Sequence, residues 1–120
     1  MGLVSRHFRN DKKLQACLVK DSAHVTKGAK GEHVAKIQAA LITLEAHLIE
    51  PAELRERLYG TSTANAVLAY KRKRQIINHR YQSTADNIVG KMTIARLDAE
   101  MAKLELRMLS TNTCSGIRLL

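Results

Sequence analysis

Tyr59, Gly60 and Thr63 introduce one candidate helix, and Gly90 and Thr93 introduce another thirty positions later. Leu58-Tyr59-Gly60-Thr61-Ser62-Thr63 leads into Ala66-Val67, and Ile88-Val89-Gly90-Lys91-Met92-Thr93 leads into Arg96-Leu97. Each phrase is an apolar pair, a glycine that can tolerate positive φ, two variable positions, and a threonine whose hydroxyl can bond loop backbone. The first N–H groups of a helix lack intrahelical partners and carry partial positive charge, which suits a carboxylate or an acetamido oxygen. A shallow groove between the two turns, Tyr59-Gly60 and Asn87 to Gly90, is therefore expected to take a ligand. Tyr59 can staple its helix or stack on a sugar ring, and Lys71, Arg72 and Arg80 can add charge at the edge. Thr63 and Thr93 are expected to hold the turns in shape.

Other reactive residue types lack a catalytic arrangement. His7, His24, His33, His47 and His79 form no His-x-His or His-Glu-x-x-His pattern that would place zinc ligands on one helix face. Glu50, Glu53 and Glu56 fall on a short, charged helix surface rather than in a cleft holding two carboxylates at fixed separation. Cys17 and Cys114 are too few for a disulfide framework. They read as a partly buried thiol and a free tail thiol, or as one bridge joining tail to N-terminal helix. The chain is expected to be noncatalytic, without metal or cofactor.

The run Lys71-Arg72-Lys73-Arg74 invites a nucleic-acid reading. Four consecutive helical positions point all around the axis, however, and do not make a stripe. Aromatic residues for base stacking are scarce, so specific nucleic-acid recognition is not expected.

The elements that must position these residues follow from apolar spacing. Asn10 or Asp11 can cap a short helix carrying Leu14, Cys17 and Leu18. Val34, Ile37, Leu41, Leu44 and Leu48 recur in steps of three and four, predicting a helix from Glu32. Pro51 suits the first turn of a short helix with Leu54 and Leu58. A second long helix runs from about Ser62 to Ile76, with Ala66, Val67 and Tyr70 inward. Asn78 to Asn87 reads as a polar loop, in which Tyr81 is expected to be exposed. Ile94, Leu97, Met101, Leu104 and Met108 form the stripe of a third long helix, whose extra turns should pack on the N-terminal one. No strand pattern stands out.

An earlier glycine-bearing phrase, from Val25 through Gly28 and Gly31 to Val34, Ile37, Gln38 and Leu41, completes a set of three. In order, the phrases resemble those of bacterial peptidoglycan-binding domains of the small three-helix type, over roughly residues 24 to 100. The second family phrase resembles Tyr59-Gly60, Thr63, Ala66-Val67 and Tyr70-Lys71; the closing one resembles Asp86 to Gly90, Thr93 and Leu97. The chain departs from the pattern at Glu56-Arg57, where Asp-Gly is usual, and at Lys71, where Gln is usual. Its connections from Leu44 to Leu58 and from Arg74 to Asn87 are longer. The resemblance implies an all-α, compact three-helix bundle, here with an extra N-terminal helix and short connecting helices. It also implies binding of peptidoglycan or a muropeptide.

Composition agrees with a globular domain: 120 residues, 45% hydrophobic, with only 3% aromatic, so the core must be aliphatic. The net charge of +9 favours anionic partners without choosing among them. No run approaches the roughly 20 apolar residues of a membrane span. The start of the chain lacks the apolar segment of a secretory signal, so a cytoplasmic origin is expected, with action at the periplasm or wall after non-classical delivery. The expected organisation is an N-terminal extension with a short helix (1–23), a helical domain (24–108) and a mobile tail (109–120). The expected function is a noncatalytic cell-wall-binding module, accessory to a wall-active effector or a phage-tail-like secretion apparatus. The alternative is an adaptor that keeps the fold and binds a protein partner, such as a wall hydrolase or secretion component.

Overall fold

The computed structural model describes residues 2–77 and 85–119, with side chains as far as Leu109. Within them the chain is helical: α1 (Lys12–Val19), a single 3-10 turn (Asp21–Ala23), α2 (Glu32–Glu45), α3 (Pro51–Glu56), α4 (Thr61–Arg74) and α5 (Lys91–Leu119). The only β-pairing among the described residues is two isolated antiparallel bridges, Val25 with Val89 and Lys30 with Leu58. The all-α expectation holds. None of these helices is long and apolar enough to cross a membrane.

The stripes read from spacing form the core. Val34, Ile37 and Leu41 of α2, Val67 and Tyr70 of α4, and Ile94, Leu97 and Met101 of α5 are all buried. Helix α1 starts where Asp11 accepts a hydrogen bond from the Leu14 N–H at 3.0 Å. It packs on α5. Cys17 is fully buried with a free thiol, which donates to the Val89 carbonyl. Burial pushes that thiol up to about 11, which removes it as a nucleophile at neutral pH.

Both long stripes outrun their burial. Helix α2 stops at Glu45 with Ala46 in the left-handed conformation, leaving Leu48 94% exposed. Pro51 disfavours a helical Glu50, and Ile49 is the residue that turns inward instead. On α5, Met108 is half exposed because 14-residue α2 and α4 cover only part of a 29-residue helix. At 1.5 Å per residue α5 is about 43 Å long, more than the 33 Å and 27 Å short dimensions of the molecule. Beyond Leu109 the backbone continues α5 to Leu119; no proline interrupts it.

The residues before α1 belong to the same core. Leu3 and Phe8 are buried, and Asp98 and Glu105, seven apart on α5, each accept two consecutive backbone N–H groups. Val4 and Ser5 donate to Asp98, and Arg6 and His7 donate to Glu105. These charge-assisted bonds strap the N-terminal segment across the helix.

Candidate functional site at the converging turns

The three glycine-bearing turns meet. Val25 and Val89 exchange both N–H···O bonds at 2.8 Å, joining the first turn to the third. Gly28 donates to the Tyr59 carbonyl and Tyr59 donates to that of Ala29, both at 2.8 Å, joining the first turn to the second. The link between second and third is the Tyr59 side chain, whose hydroxyl donates to the Asn87 carbonyl. Gly28 and Gly31, at φ of +101° and +135°, supply the left-handed backbone this first turn requires.

That geometry corrects the expected ligand contacts. Tyr59 is fully buried, so no sugar ring can stack on it, and burial together with Asp86 raises its hydroxyl well above the ordinary range. Thr63 is also fully buried; its hydroxyl donates to Glu53 at 2.7 Å and accepts from Gln38 at 3.0 Å, holding the turn as expected. Lys71 points inward, its ammonium donating to Asp86 and, at 2.8 Å, to the Ile88 carbonyl. It ties α4 to the third turn and is not free for a ligand. Arg72 is exposed, with no ion pair among the described residues. Thr93 is buried, Asn87 is exposed, and Arg80 and Tyr81 lie outside the described residues.

The two matching turns have different chemistry at their helix starts. At α4 the orphan N–H groups are occupied by Glu53, reaching over from α3. Its carboxylate accepts from Gly60 N at 3.1 Å, Ser62 N at 3.0 Å and Thr63 N at 2.9 Å. Burial alone would raise this carboxyl, but the bonds from Thr63 and Ser62 outweigh it and hold it at about 2. Gly60 has an ordinary φ of −100°, so its role is not the positive φ expected from the sequence. A Cβ there would lie 2.6 Å from the Glu53 carboxyl carbon; glycine is needed for that close approach.

At α5 no carboxylate of the described residues accepts from the helix-start N–H groups. The first N–H groups, those of Lys91, Met92 and Thr93, have no acceptor among the described residues. They border a cleft of about 320 Å3 that also includes Gly90. Ile76, Ile88 and Met92 give this cleft apolar wall, while Lys91 and His24 stand at it with exposed side chains. Lys91 is 3.4 Å from Asp21 in a solvent-exposed pair. Asp21 and Asp86 also line the cleft, the first paired with Lys91 and the second with Lys71. With these carboxylates so held, the apolar surface and open N–H donors can take a small ligand carrying a methyl-bearing amide and a carboxylate.

The sequence reading missed Glu53 because its partners lie seven to ten positions ahead, beyond any local capping pattern. Among the described residues no group of three His, Cys, Asp or Glu side chains is placed to hold a metal ion. Comparison with models of known protein families, with curated proteins and with solved structures gives no significant match.

Proposed function

We propose that this chain is a noncatalytic cell-wall-binding module that takes up a muropeptide in the cleft at the start of α5. The observation that carries this reading is the difference between the two matching turns: α4 has its N-terminal donors filled by Glu53, whereas α5 presents its own beside an apolar-walled cleft. The three phrases resembling peptidoglycan-binding domains supply the ligand class, and their convergence on one hub agrees with that resemblance. N-acetyl sugars bring acetamido groups, and stem peptides bring carboxylates that cations and helix N-termini can hold.

The test uses a variant that trims two side chains of the cleft and leaves every lysine, arginine and carboxylate in place. His24→Ala with Met92→Ala is expected to weaken sedimentation with purified sacculi roughly tenfold, a loss of about 1.4 kcal/mol. Heparin binding should stay unchanged. Salt of about 0.15 M keeps exposed charges to a reach of only ~8 Å. If the double variant sediments like the parent, the cleft is not the wall site.

A second reading, the protein-interaction adaptor, is favoured by the outer part of α5. Leu106 is 68% exposed, and Met108 and Leu109 are each half exposed, where the helix extends beyond the cover of α2 and α4. Retention of sacculus binding by a variant with all three replaced by Ser would assign wall recognition to the cleft and leave this edge for another partner.

A further inference from the structure

The basic run at the end of α4 does not dissipate around the helix. Lys71 turns in and Arg72 faces solvent, but Lys73 and Arg74 turn to a separate groove of about 830 Å3 between α4, α5 and the end of α2. It shares no lining residue with the cleft at the start of α5. Arg74 is its fixed point. Its guanidinium lies 3.9 Å over the Tyr70 ring, makes two 2.6 Å bonds to Glu100 and one of 2.7 Å to Glu45. Both carboxylates are thereby neutralised. Lys73 adds a bond to Glu45, and Arg96 another to Glu100.

Across from Arg74, Arg96, Lys103 and Arg107 follow one face of α5 with Glu100 among them, at spacings of four, three and four. At 1.5 Å per residue the row is about 16 Å long. Lys103 and Arg107 have no ion-pair partner among the described residues, and five cations here meet only two carboxylates. The floor is apolar, from Leu44, Ala99 and Leu104. Among the described residues no aromatic ring lines the groove to stack a base. The charge asks for an anion, the length for an extended one, and the floor for apolar side chains between the charges.

We infer that this groove docks an acidic peptide segment of a partner protein, its carboxylates on Arg96, Lys103 and Arg107 and its apolar side chains on Leu44 and Leu104. An extended segment of about five residues spans the row. Arg74, locked by Glu45 and Glu100, positions the wall and does not itself meet the peptide.

Fluorescence anisotropy with a short labelled peptide of Glu and Leu tests this on the full chain at about 0.15 M salt. Lys103→Glu with Arg107→Glu is expected to weaken binding roughly tenfold or more. Lys27→Glu with Arg55→Glu, an equal charge change at exposed residues outside the groove, should leave it near the parent value. Circular dichroism melts confirm that both variants fold. An all-Glu peptide of the same length should bind more weakly than the mixed one. Equal weakening by the two variants would reduce the groove to a generic basic surface and overturn the proposal. So would equal binding of the two peptides, or loss of polyphosphate binding alone in Lys103→Glu with Arg107→Glu, which would assign the groove to a simple polyanion.

Discussion

Tyr59→Ala is expected to destabilise the domain by about 3–5 kcal/mol, the range for deleting a buried aromatic side chain. The ring is fully buried where the three turns meet, and its hydroxyl is the side-chain link from the second turn to the third. Tyr59→Phe keeps the ring and removes only the bond to Asn87, so it should cost about 1 kcal/mol. Urea unfolding of the two variants separates packing from hydrogen bonding. A Tyr59→Ala protein with parental stability would mean that the tyrosine is not the keystone of the hub. Such a large folding effect also disqualifies Tyr59→Ala as a probe of ligand contact, and residues at the open cleft must serve instead.

Glu53→Ala should cost about 2–3 kcal/mol, because four donors at the start of α4 lose one shared acceptor: three backbone N–H groups and the Thr63 hydroxyl. The same group sets part of the acid response. Its folded pKa, about 2, lies below the ordinary 4.5. The unfolded chain therefore binds the extra proton first, and the stabilisation is fully present above 4.5 and lost as pH falls towards 2. Allowing for its partial exposure, the contribution is about 2 kcal/mol rather than the full converted shift. Burial also holds His33 and His47 below their ordinary value, so each adds a loss of stability beginning nearer neutral pH. The difference between parent and Glu53→Gln isolates the carboxylate: the two stability curves should converge between pH 4.5 and 2. Parallel curves across that range would show that Glu53 is not held as described.

Spacing made the helix interiors legible and left their ends obscure. Val34, Ile37 and Leu41 declare a buried face because apolar residues three and four apart must share one side of a helix. Leu48 and Met108 continue the same arithmetic yet lie exposed, since periodicity does not say where a covering element stops. The glycine phrases located the turns correctly, but not the reasons for them: Gly28 needs positive φ, whereas Gly60 makes room for Glu53. Tyr59 and Lys71 looked available because tyrosine and lysine are common at surfaces. Their inward placement depends on Asn87, Asp86 and Ile88, fifteen to twenty-eight positions away, and no local pattern encodes pairings of that range. The basic groove was hidden for a related reason. Lys73 and Arg74 acquire meaning only when α5 brings Arg96, Lys103 and Arg107 opposite them.

The most direct measurement is a titration of the isotopically labelled protein with a soluble disaccharide-peptide muropeptide, followed by amide chemical shifts. Binding at the open start of α5 predicts saturable shifts at Gly90, Lys91, Met92 and Thr93, with the α4 start at Ser62 and Thr63 unmoved because Glu53 already occupies it. Absence of shifts at α5, or shifts confined to Lys73, Lys103 and Arg107, would contradict the assignment of wall binding to this cleft.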